Sequence, residues 1–103
     1  MDDKDDKEKS ILISLIKESL SEISIYIGTT TLKVVLERIF FDLSVYNPQW
    51  ENIKVNDPEE LDFSKFSTEE LKRFYHMFVD IVGNILGDEF KEELLMKLKR
   101  GDD

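Results

Sequence analysis

The segment TTTLKVVLERIFFDLSVY, residues 29 to 46, is apolar on two opposite sides when drawn as a helix at about 100° per residue. The segment begins with threonines and Asn47-Pro48 follows it, which are typical boundaries of a helix. The main apolar face holds Leu32, Val35, Leu36, Ile39, Leu43 and Tyr46. The opposite face holds Val34, Phe41 and Val45. A helix that is apolar on two sides is buried on two sides, so the pattern predicts a partner surface beyond one small bundle.

Three further helices are predicted, giving an all-α bundle of four main helices near 10–27, 30–46, 67–86 and 88–100. Apolar residues recur at steps of three and four from Ile11 to Ile27, and Gly28 supplies the stop. The stretch ISIYI, residues 23–27, also alternates as a strand would, so a short strand there is the competing interpretation.

The start of the third helix carries the clearest boundary signal in the chain. Ser67 and Glu70 have the spacing of a capping box, and Phe66 with Leu71 forms the accompanying hydrophobic staple. Gly87 ends this helix, and Asp88 caps the last one, whose acidic residues lie early and basic residues late.

A long connection, residues 47–66, joins the second and third helices and contains both prolines. Trp50, Phe63 and Phe66 would anchor it on the core, which predicts an ordered crossover. The charged residues 1–9 are predicted to form an N-terminal tail or a frayed helix start, 10–100 a single domain, and 101–103 a C-terminal tail.

The composition excludes several classes of function. The net charge is −9 and no basic cluster is present, which argues against binding to nucleic acid or to an anionic membrane. The chain has no cysteine, so disulfide frameworks, thiolate metal sites and cysteine nucleophiles are ruled out. It also lacks a signal peptide and any apolar run long enough for a membrane helix, so we expect a cytoplasmic protein.

The single histidine, His76, is the first weak candidate for a site. It lies off the buried stripe of its helix, and Asp80, one turn later, is its plausible partner, so a surface ion pair is the simpler interpretation. Gly83 is the second weak candidate, because Gly83 and Gly87 have G-x-x-x-G spacing that could admit another helix. No nucleotide-binding or hydrolase motif occurs, and we predict no catalytic residue, cofactor or metal.

A resemblance rests on the order of IG at 27–28, an apolar second helix, PEEL at 58–61, and FVDIVGNILGDEF at 78–90. This order resembles the small all-α accessory and output domains that accompany signalling proteins in archaea. The chain departs from them in that Phe78 lies several residues before Gly83, where the aromatic and the glycine would be adjacent. The resemblance implies an adaptor, output or sensory module without catalytic residues.

These observations predict a non-enzymatic protein-interaction or regulatory module in signalling. The alternative is a small-molecule or cofactor sensor that uses the aromatic interior of Phe40, Phe41, Phe74, Tyr75 and Phe78. We expect a protein partner and a homodimer formed through Val34, Phe41 and Val45. The competing hypothesis is that the crossover folds back over these three residues within the same chain.

Overall fold

The computed structural model describes residues 3–51, 53 and 61–102, and this part of the chain is helical without any strand. Helix α1 spans Asp3–Ile27, α2 spans Thr29–Ser44, α3 spans Thr68–Leu86 and α4 spans Asp88–Asp102. A short 3₁₀ turn, Pro48–Trp50, follows α2. The all-α prediction is confirmed. Residues 23–27 are the last turns of α1, so the strand interpretation is wrong.

Single glycines make two of the helix connections. Gly28 separates α1 from α2 with φ of 84°, and Gly87 separates α3 from α4 with φ of 108°. These values fall in the region that residues with a Cβ atom rarely adopt. Each glycine N–H also bonds to a carbonyl of the preceding helix, Ser24 O and Gly83 O respectively, at 2.9 Å. One residue therefore suffices for the connection at both points.

Helix α3 packs against α1, α2 and α4. Helix α1 packs against α2 and α4 as well, whereas α2 and α4 share no contact in the described part of the chain. Residues 31–47 repeat the order of buried and exposed positions found in 11–27. The two helices of this hairpin thus present equivalent faces to the core, and α2 lies at the edge of the bundle.

The described part of the crossover is held by stacked aromatic rings. Trp50 and Phe66 are parallel, with ring centroids 3.6 Å apart, and Trp50 also stacks on Phe40 of α2 at 5.6 Å. Phe63 contacts Phe74 of α3, with centroids 5.3 Å apart. The ordered crossover is confirmed for these residues, while the Pro-Glu turn suggested near residue 58 lies outside the described residues.

Both predicted tails are helical where they are described. The N-terminal tail assigned to 1–9 is part of α1 from Asp3, and α4 continues into 101–103 as far as Asp102. Contacts distant in sequence fix the N-terminal turns, because Lys9 Nζ donates to the carbonyl of Ser64 and Glu8 forms an ion pair with Lys72 at 2.9 Å. Lys and Glu also have good helix propensity, which keeps the cost of the extension low.

Candidate protein-docking surface

The outer side of α2 carries three exposed apolar side chains that we call the α2 strip: Val34, Phe41 and Val45. They are 63%, 70% and 76% exposed, respectively. The opposite side of the same helix is buried against α1, α3 and the crossover. The two-sided pattern in the sequence therefore corresponds to one buried face and one open face.

The described part of the crossover does not cover the α2 strip. Trp50, Phe63 and Phe66 are buried on the core side of α2 and α3. Trp50 stacks on Phe40 and Phe66, and Phe63 contacts Phe74 at a tilted angle. Phe41, the next residue after Phe40, points to the other side of α2 and stays exposed. The hypothesis of an intrachain cover is thus wrong for the crossover residues that the structure describes.

Charged side chains border the strip. Arg38 Nε lies 3.4 Å from Asp42 Oδ2, one turn later, and Arg38 itself is largely exposed. At the C-terminal end of α2, the Arg73 guanidinium lies 5.5 Å from the centre of the Tyr46 ring. Tyr46 was predicted on the buried face but is 72% exposed, because it follows Ser44, the last residue of α2. The strip therefore has an apolar centre and a charged edge.

His76 lies on the exposed surface of α3, away from the core, as its position on the helix predicts. Asp80, its expected partner, instead lies 3.1 Å from Lys91 Nζ of α4. Among the described residues, no three His, Cys, Asp or Glu side chains come together to hold a metal ion. In the described contacts Asp80 is therefore paired with α4 and not with His76.

Gly83 is buried where α4 crosses α3. A Cβ atom built on Gly83 would lie 3.0 Å from Lys91 Cβ and 3.1 Å from Lys91 Cδ. The space beside this glycine is thus filled by α4 of the same chain. The G-x-x-x-G spacing serves the α3–α4 contact and the C-cap at Gly87, so it does not mark a surface for another protein.

A buried polar cluster that the sequence analysis missed joins three helices. The Tyr75 hydroxyl of α3 donates to the carbonyl of Leu94 in α4 at 2.9 Å and lies 3.3 Å from Ser19 Oγ of α1. Since the single tyrosine proton goes to Leu94, Ser19 donates to the tyrosine oxygen. Burial raises the pKa of Tyr75 above its ordinary value. The charges of Lys97, Glu18 and Glu22 also act on the hydroxyl, but less than burial does. This arrangement links α1, α3 and α4.

One shallow depression of about 290 Å³ lies on α1, lined by Ser10, Ile11, Ser14, Leu15 and Glu18. All five residues belong to the same helix, so no second element encloses the depression. Ile25 and Ile85 are further exposed apolar residues. The helical spacing of the sequence predicts Ile85 on the buried stripe of α3, and this prediction is wrong, since Ile85 is 48% exposed. Ile25 of α1 and Val45 at the end of α2 occupy equivalent positions in the repeated burial pattern, and both are exposed.

Comparison with known protein families, with curated proteins and with solved structures found no match. No helix in the described ranges has both the length and the apolar character needed to cross a membrane. Of the predicted site residues, Val34, Phe41 and Val45 lie together on one open helix face, whereas His76 and Gly83 lie apart on α3.

Proposed function

We propose that this chain is a non-enzymatic protein-interaction module that binds its partner through the α2 strip. The observation that carries the proposal is the exposure of Val34, Phe41 and Val45 on one side of a helix whose other side is fully packed. Burying a Val or Phe side chain completely is worth roughly 1.5–3 kcal/mol. Scaled by the exposed fractions, each residue of the strip would contribute about 1–2 kcal/mol to an interface.

The surroundings of the strip support a protein partner. Interfaces between proteins combine an apolar centre with a polar, solvent-accessible rim, and aromatic residues and Arg are enriched in them. Phe41 lies at the centre of the strip, while Arg38 and Asp42 lie beside it and Arg73 with Tyr46 at its end. This is the composition expected of a docking surface for a folded protein.

A regulatory role in signalling rests on the resemblance to archaeal accessory domains, and the cytoplasm is the compartment proposed for it. The net charge of −9 disfavours binding to nucleic acid. The sensor alternative gains no support from the described aromatic cluster. Of the rings named for it, Phe41 is 70% exposed and so does not belong to the interior, and Phe40 stacks directly on Phe74 with centroids 5.6 Å apart.

Photo-crosslinking from the strip tests the proposal. A photoreactive phenylalanine analogue at position 41 is expected to give covalent adducts with protein when the variant is irradiated in its native cell. The matched control carries the analogue at position 92, an exposed residue on α4. Adducts from position 41 alone support the proposal. Absence of adducts at 41, or equal labelling from both positions, would refute it.

A further inference from the structure

We infer that the occupant of the α2 strip is a second copy of this chain, packed antiparallel along α2, an inference that rests on the proposed function. In this arrangement Val34 of each copy lies against Val45 of the second copy. Arg38 of each copy lies over the Phe41 ring of the second copy. A two-fold axis passes between the two helices, midway between residues 39 and 40.

The spacing along α2 sets this alignment. Val34, Arg38, Phe41 and Val45 follow one another at steps of four, three and four residues, which keeps them on one line of the helix. The line is apolar at both ends, and its middle holds one cation and one aromatic ring. Asp42 lies on one side of this line, and Glu37 lies on the other.

A parallel pair of α2 helices would be repulsive. With two-fold symmetry, each residue on the seam would face its own counterpart, so Arg38 would meet Arg38 of the second copy. The opposite edges of the seam would also meet, which brings Glu37 towards Asp42 of the second copy. Both contacts join like charges, which is unfavourable across a seam.

An antiparallel pair removes both conflicts. Arg38 faces Phe41 of the second copy, and a guanidinium over an aromatic ring is an attractive arrangement. Because the same edges of the seam now meet, Arg38 also lies beside Asp42 of the second copy. In the single chain Arg38 Nε lies 3.4 Å from Asp42 Oδ2, and the Arg38 side chain is largely exposed. The exposed part of its guanidinium can therefore contact the second copy as well. Arg38, Phe41 and Asp42 are thus self-complementary in the antiparallel alignment, while the two Glu37 side chains share the other edge of the seam, about 7.5 Å apart along the helix axis.

The size of the strip predicts a weak dimer. Val34 to Val45 covers about 16 Å of helix at ~1.5 Å per residue. A standard interface buries about 800 Å² on each partner, which is more than one helix face of this length supplies. The dimer should therefore form at high protein concentration and dissociate on dilution.

Engineered cysteines test the alignment without background, because the chain has no cysteine of its own. In an antiparallel dimer, the two copies of position 34 lie about 16 Å apart, and so do the two copies of position 45. A disulfide needs Cα atoms within about 7 Å. Neither Val34→Cys nor Val45→Cys should therefore form a disulfide when it is oxidised alone. Mixing the two variants should give a disulfide-linked heterodimer. Parallel packing would instead give a disulfide-linked homodimer of each variant and no 34–45 heterodimer in the mixture. That result would overturn the inference.

Sedimentation velocity on the purified chain supplies the second readout. The wild type should show dimer at roughly 100 µM, and Phe41→Glu should be a folded monomer with an unchanged circular dichroism spectrum. Met96→Glu, at an exposed residue of α4, is the matched control and should leave the dimer intact. A wild type that stays monomeric and gives no mixed disulfide refutes the second copy. Photo-crosslinks from position 41 to another protein would then still uphold the proposed function.

Discussion

Replacing Tyr75 by Phe should destabilise the domain while leaving its shape unchanged. The substitution keeps the ring that packs at 6.5 Å from Phe78 and removes only the hydroxyl. That hydroxyl joins three helices, because it donates to the Leu94 carbonyl at 2.9 Å and accepts from Ser19 at 3.3 Å. Its removal therefore tests how much the buried polar cluster contributes to stability.

The expected loss is about 1–2 kcal/mol. A neutral buried hydrogen bond contributes roughly 0.5–1.5 kcal/mol net, and leaving a buried group unsatisfied adds to the cost. Ser19 is completely buried and would lose its described partner, although a helical serine can turn its hydroxyl to a carbonyl one turn earlier. For a domain of this size the loss corresponds to a melting temperature lower by about 4–16 °C.

The same substitution should change the alkaline stability. Burial raises the pKa of Tyr75 above its ordinary value of 10.0, so the folded state keeps its proton where the unfolded state releases it. The contribution of this pKa difference to the free energy of unfolding is fully present below pH 10. It is lost as pH rises through the folded-state pKa of Tyr75. The stability gap between wild type and Tyr75→Phe should accordingly narrow above pH 10. The hydrogen bond from Lys97 to Glu22 raises the pKa of Lys97 too, but both proteins share it.

Urea denaturation of four proteins provides the measurement: wild type, Tyr75→Phe, Ser19→Ala and the double variant. The summed losses of unfolding free energy in the two single variants should exceed the loss in the double variant, since both substitutions remove the same contact. Strict additivity would mean that the two hydroxyls do not interact. If Tyr75→Phe were within about 0.3 kcal/mol of wild type, the stabilising role of the cluster would be refuted.

Three other substitutions test the fold. Gly83→Ala should lower the melting temperature despite the helix propensity gained, about 1 kcal/mol, because the new methyl meets Lys91 Cβ at 3.0 Å; a higher melting temperature would contradict this contact. Trp50→Ala should cost about 3–5 kcal/mol in urea denaturation if the crossover belongs to the core, and a loss below about 1 kcal/mol would show that it does not. Ser67→Ala should cost about 1 kcal/mol and speed hydrogen exchange in the first turn of α3, since Ser67 Oγ accepts from the N–H of Glu70 at 3.2 Å; unchanged exchange would argue against this cap.

Elements with local signals were predictable from the sequence. The start of α3 depends on Ser67 and Glu70, which interact within one turn: Ser67 Oγ accepts from the N–H of Glu70 and donates to Glu70 Oε1. Gly28 and Gly87 end their helices because of their own backbone conformation. Such features need no knowledge of the rest of the chain, so a pattern of a few residues is enough to find them.

Features that depend on distant residues were not predictable in the same way. The N-terminal turns of α1 contact Ser64 and Lys72, far along the chain, and the charge pattern of 1–9 gives no sign of these partners. The polar cluster of Tyr75 uses a backbone carbonyl as acceptor, and no side-chain pattern encodes a carbonyl. Asp80 likewise has Lys91 of the next helix as its partner.

The candidate docking surface falls between these two cases. Helical periodicity alone placed Val34, Phe41 and Val45 on one side of α2, and the structure leaves all three exposed. Whether the crossover would cover them depended on where Trp50 docks, which periodicity cannot determine. The long-range stacking of Trp50 on Phe40 and Phe66 decides that question for the described residues.

The packing of α1 against α4 determines when the domain can fold during synthesis. Leu94 and Leu98 of the last helix are buried, Lys97 reaches Glu22 at 2.5 Å, and the Phe90 ring meets Tyr26 edge to face at 4.8 Å. The core on α1 and α3 thus stays open until α4 has emerged from the ribosome. A nascent chain that stalls before α4 exposes that apolar surface and depends on chaperones to remain free of aggregates.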